Sequence, residues 1–583
     1  MQTNATQNAN SYTTTGLPQR IERNRPEADA TPQDLFKSAA SPKEPTQSVL
    51  VSYLPQDEGM LPPDLAEVEA RHTPTGPAND RFQVSVPRNF PVARPDSGGD
   101  LVFDTDDPRF DSAHSFLMAD RSLKMAQEYL GRDLPWSFTQ ELGREQLLIH
   151  PHAGADTANA FYHSEAGSVN FFHYKDDDGE LHRTGASADI VAHETGHAIL
   201  DALRHNYISS LTVAAGGFHE SFGDMVSILV ALKDPAVVGA LHEETQGNLA
   251  LPNLVSRLAE NLGRSAGAMD GTETDCLRQA LNNHKYVDQH FLPYIDAKDP
   301  FSGMGQEPHA YSNLFTGAFY EILFGLHDAV GSEASVPFAE AISGARDIAG
   351  SLLFRGMEFA PVGEPTYREV ALAMLKADQV DFGGQLRPLL EQVFTRRKIL
   401  SEDDLRAFDA REEKLPELQM EPSVTQKEGA MAFLNAHREK LQLSENLPFE
   451  FVSSHVTNRG ETFVLYKYHQ DISLEGQDYG IMEGARARMN GGLVLAFDAE
   501  GKLFAANHDD ITEREIEDVK DHLKTALGAG MLSAQGIQPG SGNSACRPGQ
   551  PCSHGKFASN YMQLNVIGEG AGRVLRRAPM LTC

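Results

Sequence analysis

Ala192-His193-Glu194-Thr195-Gly196-His197-Ala198 is the stretch that says most about the fold and the chemistry of this chain. A helix that carries His-Glu-x-x-His presents both imidazoles one turn apart on the same face, which fits two corners of a zinc tetrahedron. Apolar residues at helical spacing flank the pair and place it at the rim of a buried helix. The glutamate between the histidines can take a proton from a metal-bound water that attacks a carbonyl, so the motif predicts a metalloprotease.

The pattern alone is suggestive only. In a chain of 583 residues with 22 histidines, His-Glu-x-x-His arises by chance in roughly one case in fifteen. The alternative interpretation is a structural helix with two buried histidines. A third protein ligand on a following helix is therefore the decisive feature to seek, because a catalytic zinc site keeps three protein ligands and one open position.

The segment 216–229 supplies that ligand. Two glycines open it and apolar residues then recur at helical spacing, which predicts a helix with Glu220 in its first turns and Asp224 one turn further on. Asp224 is placed to accept the other ring N–H of a zinc-bound histidine. His219, Glu243 and Glu244 remain alternatives as the third ligand, although neither of the last two has a carboxylate four residues on.

Together these residues resemble the thermolysin-like family of zinc metallopeptidases, the gluzincins. The resemblance implies zinc held by His193, His197 and Glu220, with Glu194 as the general base. Upstream, the segment 159–162 (Asn-Ala-Phe-Tyr) resembles the edge strand with which that family pairs its peptide substrate as an added strand. The resemblance therefore implies that Asn159 and Ala160 bind substrate.

Downstream, the block that begins at His309 resembles the family's His-x-x-Ser segment, and it implies that His309 donates to the oxyanion that develops in the transition state. Tyr207 or a neighbour is a candidate to assist it. Leu277-Arg278 resembles the dipeptide that holds a substrate carbonyl, which makes Arg278 a candidate substrate-binding residue. Met304 stands where the family has a carboxylate, so Asp299 or Glu307 is expected to orient His309.

Zinc is the cofactor that the resemblance implies, and calcium stays an open alternative for a second site. Asp189 matches a calcium-binding aspartate of the family. The usual carboxylate partners beyond the third zinc ligand are missing, with Ala231 at one of those places. Asp189 is therefore expected either to bind a cation weakly or to cap its helix.

Composition and hydrophobic periodicity change along the chain, and the pattern predicts an α+β fold. With the family resemblance it implies a thermolysin-like catalytic domain of two lobes, mixed α/β and then all-helical, followed by a small α+β domain. The predicted segments are a disordered or prosegment-like arm at 1–98, an N-terminal lobe with the His-Glu-x-x-His helix at 99–219, a helical C-terminal lobe at 220–412, a linker at 413–424, a small α+β domain at 425–535, and a flexible Cys-containing tail at 536–583.

The small domain combines a predicted amphipathic helix at 430–441 with alternating strands at 461–470 and 493–498. This arrangement is similar to the propeptide modules of thermolysin and fungalysin relatives, which implies intramolecular inhibition by this domain. An accessory binding domain is the alternative. In the tail, Cys546 and Cys552 bracket a turn-prone segment that favours ring closure, and their disulfide state stays open.

Composition limits the partners. A formal net charge of −32 and a pI near 5.0 argue against nucleic acid and anionic membranes, and no apolar run approaches the length needed to span a bilayer. Residues 1–8 lack the basic and apolar regions of a signal peptide, whereas the family resemblance implies secretion. The localisation therefore stays open between secretion, the cytoplasm and unconventional export.

Three hypotheses for function follow. The first is an active zinc endopeptidase that acts on proteins or peptides and, by resemblance, prefers large apolar residues on the primed side of the bond. The second is a non-catalytic zinc protein that binds peptides in the cleft. The third is a latent protease whose C-terminal domain occupies its own cleft.

Overall fold

A computed structural model of the chain describes residues 45–176, 179–260, 262–263, 276–294, 303–331, 336–528, 564–567, 574–577 and 580–582. Helices and strands are mixed over these residues, which confirms the predicted α+β class. Most strands of the described chain belong to two sheets, one of nine strands and one of six.

Residues 45–98, the described part of the predicted disordered or prosegment-like arm at 1–98, contain the first four strands, so the prediction of disorder is wrong there. These strands are β1 (Gln47–Tyr53), β2 (Asp64–Thr73), β3 (Gly76–Ala78) and β4 (Phe82–Val84). The Pro-, Ser- and Thr-rich composition of this region conceals a short alternation in β1, where Val49, Val51 and Tyr53 are buried. These strands bury apolar side chains only by joining a sheet formed with later segments, so composition alone could not reveal them.

The same sheet continues through β5 (Leu147–Ala155), β6 (Ala160–His163), β7 (Ser168–Lys175) and β8 (Leu181–Arg183). Its order is β1-β2-β3-β4-β5-β7-β6-β17, and β8 pairs with β7. The last member, β17 (Met580–Thr582), comes from the far end of the chain and lies antiparallel to β6.

A long helix, α1 (Pro108–Leu130), packs against this sheet and against the two helices that carry the histidine motif and Glu220. Asp107 caps its first turn and Gly131 ends it in the left-handed conformation. The α-helices that follow among the described residues up to 413 are α2 (Thr139–Leu142), α3 (Ala188–Leu203), α4 (Asn206–Ser209), α5 (Val213–Ala231), α6 (Pro235–Thr245), α7 (Pro308–Gly331), α8 (Phe338–Phe359), α9 (Tyr367–Asp381), α10 (Arg387–Arg396) and α11 (Glu402–Glu413).

Two short strands, β9 (Arg257–Leu258) and β10 (Arg278–Gln279), pair within this helical region. Within the predicted helical lobe at 220–412, apolar residues repeat at helical spacing in the sequence over 314–326, 336–353, 367–375 and 386–394, and these ranges coincide with the observed helices α7 to α10. Their apolar residues recur near every 3.6 positions, and that local pattern sufficed to locate them.

The C-terminal region is built on the six-stranded sheet. It comprises α12 (Lys427–His437), β11 (Glu450–Val456), β12 (Thr462–Ser473), β13 (Arg486–Phe497), β14 (Leu503–Asp509), α13 (Glu513–Gly528), β15 (Leu564–Ile567) and β16 (Val574–Arg577). The description of residues 536–583 as a flexible tail is therefore wrong for β15, β16 and β17. Strands β16 and β17 pair with the distant strands β13 and β6, and β15 pairs with its neighbour β16. Short segments in a Gly- and Ser-rich stretch give no local signal of such pairing.

The C-terminal region shares a core with the helices that precede it. Phe463, Val494 and Ala505 are buried in the same apolar cluster as the helices of residues 108–413. Across the same interface the guanidinium of Arg355 in α8 donates to Glu461 at 2.8 and 3.0 Å. The two regions are thus packed against each other through both apolar and charged contacts.

No single helix among the described residues has both the length and the apolar character needed to cross a membrane. Helices α5 and α6 pass such a test only when taken together across a bend of 95°, and α5 is almost wholly buried inside the protein.

Candidate metal centre

The metal centre begins with α3, because this helix holds three of the predicted residues. Its first turn is capped by Ser187, whose hydroxyl accepts a hydrogen bond from the amide of Ile190. His193 and His197 follow one turn apart, with their ring centroids 4.6 Å apart. Glu194 lies between them in the sequence, and all three side chains are buried.

Two glycines allow α5 to approach α3 closely enough to complete the cluster. A Cβ on Gly196 would lie 3.0 Å from the Cα of Gly223, and a Cβ on Gly223 would lie 2.7 Å from the ring of His193. The contact at Gly223 is closer than real Cβ atoms show and the one at Gly196 is tighter than most, so glycine at these positions lets the two helices approach without displacement. The close approach brings Glu220 of α5 to the two histidines of α3.

His193, His197 and Glu220 offer ligand atoms that all lie within 4.8 Å of one another. Nε2 of His193 is 3.2 Å from Oε2 of Glu220, and Nε2 of His197 is 3.7 Å from Oε1. Over the described part of the chain no hydrogen-bond partner reaches the buried Nε2 of His197. Two imidazoles and one carboxylate that converge in this way match the donor set of a catalytic zinc site.

Asp224 and Arg278 lie behind His193. Oδ1 of Asp224 is 3.1 Å from Nδ1 of the imidazole. Arg278 donates from Nε to both oxygens of Asp224 at 2.8 and 3.1 Å, and its Nη2 lies 3.1 Å from Nδ1 of His193. Thr316 of α7 donates to Oδ2 at 3.0 Å. The position of Asp224 is the one predicted for a partner of a zinc ligand, and Arg278, predicted to hold substrate, lies beside it.

The other candidates for third ligand occupy different places. His219 is buried with its Nδ1 3.3 Å from Nδ1 of His197, so it lies behind that ring, on the side away from Nε2. Glu243 is exposed on α6, and Glu244 accepts hydrogen bonds from the amide of Leu254 and from Arg257. The structure therefore favours Glu220 on geometry.

His309 at the start of α7 reaches the same cluster. Its Nε2 lies 3.2 Å from Oε2 of Glu220, and its Nδ1 lies 2.7 Å from Oε1 of Glu307. Of the two carboxylates expected to orient His309, Glu307 is the one in contact, and Asp299 lies outside the described residues. Glu307 also accepts the amide of Ala310 at 3.0 Å, which fixes the carboxylate at the helix start.

The charges of the cluster follow from these contacts. Burial disfavours the charged imidazolium of His309, but Glu220 and Glu307 outweigh it and raise its pKa to about 9. Burial likewise favours a neutral Glu220, yet His309, His197 and His193 hold its pKa well below the usual value. Burial lowers the pKa of His197, which keeps the ring in the neutral form that binds a metal.

The predicted substrate strand runs alongside α3. At its start, the side chain of Asn159 accepts the amide of Ala160 at 2.8 Å, while the carbonyl of Asn159 accepts the hydroxyl of Thr184 at 3.1 Å. At its other end the hydroxyl of Tyr162 donates to Asp201 of α3 at 2.7 Å. The edge of β6 that faces away from β7 is paired with β17 in this structure.

Asp189 lies apart from the cluster of His193, His197 and Glu220, at the beginning of α3. Burial and the nearby carboxylates of Asp57 and Glu260 raise its pKa well above the usual value. Among the described residues, a second group of side chains is close enough to hold a metal. It comprises Asp176, Glu180 and His182 and lies at the surface. Asp189 is not part of it, and the calcium alternative stays a prediction.

The candidate assistant of His309, Tyr207, bonds elsewhere in the structure. The hydroxyl of the buried Tyr207 donates to the carbonyl of Pro361 at 2.6 Å, so the suggestion that it assists His309 is wrong. Cys546 and Cys552 lie outside the described residues. Thr316 was missed, although it lies seven residues after His309 on the same helix and hence on the same face.

Comparison with known proteins gives no family assignment, since no protein-family model matches the chain and no curated protein matches it.

Proposed function

We propose that this protein is a zinc-dependent endopeptidase of thermolysin-like, two-lobed architecture. The observation that carries the proposal is the convergence of His193, His197 and Glu220 at the α3–α5 contact. Asp224 behind one ligand and His309 beside another add the groups that a hydrolytic zinc site uses. The donor set fits zinc because it combines one carboxylate with two imidazoles, which bind a metal in their neutral form.

When bound, zinc would polarise the scissile carbonyl and lower the pKa of a water molecule. Glu194 lies on the histidine helix and is the residue assigned to accept the proton of that water and return it to the leaving amine. Nδ1 of His309 is held by Glu307 at 2.7 Å, so the protonated ring would present its Nε2–H to the site, where it can donate to the carbonyl oxygen as negative charge develops there.

The substrate is proposed to be a protein or peptide in extended conformation. Such a chain would add to the edge of β6, with Asn159 and Ala160 at the end of the strand that is tied to Thr184. Arg278 lies beside the ligand shell and is the candidate to hold a substrate carbonyl. A preference for large apolar residues on the primed side remains an expectation from the family resemblance.

The test compares the full chain with a Glu194→Gln variant on a denatured protein substrate, each checked for one zinc per chain. The matched control is Glu243→Gln, which changes an exposed glutamate of α6. We expect zinc in all three proteins and cleavage by the wild type and the control only. Zinc in all three with equal cleavage by Glu194→Gln, or no zinc in the wild type, would overturn the proposal.

A further inference from the structure

The last strand of the chain covers the edge that a substrate peptide would need. Strand β17 lies antiparallel to β6, with Met580 opposite His163, Leu581 opposite Tyr162 and Thr582 opposite Phe161. The opposite edge of β6 is already paired with β7. A strand has only two edges, so β17 occupies the one place at which a further strand can be added to β6.

The covered edge runs past the metal centre. The residue that precedes β6 is tied to Thr184, just before α3, and Tyr162 is tied to Asp201, near the end of α3. The two metal-binding histidines lie between those points on the helix. Because β17 runs antiparallel, its chain direction leads from His163 toward the Asn159 end of β6, the end assigned to substrate.

The tail is held near this edge by the C-terminal region. Strand β16 pairs in parallel with β13 through Arg486–Val574 and Ala487–Leu575, and only two residues separate β16 from β17. A short connection of this kind gives a tethered strand an effective concentration near the millimolar range. Three paired residues alone would bind weakly. The short connection to β16 is what allows β17 to compete with a substrate peptide for the edge of β6.

We infer that Met580–Thr582 is an intramolecular competitor that occupies the peptide-binding edge of β6 and must leave before a substrate strand can pair there. The inference rests on the proposed function for the identity of the displaced ligand. Pairing through the backbone is independent of side chains, so the tail excludes peptide substrates in general. A saturating substrate displaces it, and the tail therefore raises KM without lowering kcat.

The test uses two full-length variants, Leu581→Pro and the double variant Met580→Pro/Thr582→Pro. Alternate residues of an antiparallel strand bond to the neighbour, so one of the two variants removes every backbone donor that faces β6. The control, Thr582→Val, keeps all backbone amides. Two readouts are made: hydrogen exchange of the backbone amides of residues 160–163, and KM and kcat on an unstructured peptide.

We expect at least one proline variant to exchange faster at residues 160–163 and to lower KM by about threefold or more at unchanged kcat, while the valine control behaves as the wild type. A synthetic peptide of residues 578–583 should then restore the wild-type KM competitively. Unchanged exchange in both proline variants, or faster exchange with an unchanged KM, would overturn the inference. Faster exchange in a proline variant that cleaves nothing would show that β17 pairs with β6 in the wild type, and it would reject the proposed peptidase activity.

Discussion

His193 and Asp224 face each other across the contact between α3 and α5, with Nδ1 of the imidazole 3.1 Å from Oδ1 of the carboxylate. Arg278 and Thr316 donate to the same carboxylate, so both of its oxygens are held. This arrangement turns Nε2 of His193 toward Glu220 and fixes which nitrogen is free to bind a metal.

Asp224→Asn is expected to weaken zinc binding by about 10- to 100-fold, because the amide supports His193 less well and leaves the buried Arg278 without its charge partner. Competition with a chromogenic chelator measures the affinity. Thr316→Val is the matched control, since it removes one hydrogen bond from the same carboxylate and should have a much smaller effect. Wild-type zinc affinity in Asp224→Asn would show that this contact does not support the ligand.

Gly223→Ala is expected to destabilise the protein by about 1–3 kcal/mol and to lower its zinc content. The added Cβ would lie 2.7 Å from the ring of His193, so the ring or α5 has to move. Gly239 also lies in a helix, α6, and a Cβ there would meet nothing within 4 Å, so Gly239→Ala is the control. Gly239→Ala should be neutral or more stable by up to about 1 kcal/mol. Urea denaturation of both variants measures the free energy of unfolding, and metal analysis measures the zinc bound per chain.

Glu461→Gln tests the charged contact between the C-terminal region and α8. Arg355 is almost fully buried and bonds to both Glu461 and Asp381, so loss of one carboxylate leaves a buried charge less well compensated. We expect a loss of about 1–3 kcal/mol in the free energy of unfolding. In contrast, Glu402→Gln removes one of the two carboxylate partners of Arg406 in a group exposed to solvent and should leave the stability almost unchanged. Equal losses in chemical denaturation would contradict the structural role of Arg355.

Glu364 predicts a pH dependence of stability. Burial raises its pKa to about 7, although hydrogen bonds from Ser210 and Asn490 oppose the shift. Its carboxyl therefore keeps a proton in the folded protein that the unfolded chain loses near pH 4.5. The resulting stability is complete below pH 4.5 and is lost as the pH rises through 7.

Glu364→Gln should remove this component, which is on the order of 3 kcal/mol. Between pH 5 and 7 the stability of the wild type should fall relative to that of the variant, and above pH 7 the difference should be constant. Denaturation at a series of pH values measures it, with the exposed Glu340→Gln of α8 as the control. A constant difference between wild type and Glu364→Gln across pH 5 to 7 would show that this carboxyl has an ordinary pKa.

The features that the sequence predicted well are local ones. The two histidines of α3 and the helices α7 to α10 follow from residues three and four positions apart, and such spacings have a fixed geometry once a helix forms. Glu220 and Asp224 were placed on one face of α5 for the same reason.

The features that it missed depend on pairing between distant segments. Strands β1 to β4 lie in a Pro- and Ser-rich region, and they are stabilised by their neighbours in the sheet and by the packing of α1 against that sheet. Thr582 pairs with Phe161 across more than 400 residues of chain, a contact for which three residues of sequence carry no signal.

The sequence by itself determined the residue types of the candidate metal centre and their order, because helical periodicity fixes which side chains share a face. Only the tertiary structure decided that Asp224, Arg278 and Thr316 meet behind His193, that Glu307 holds His309, and that β17 covers β6. Those relations arise from packing between segments far apart in the chain, where the burial of apolar surface sets the distances and local sequence does not.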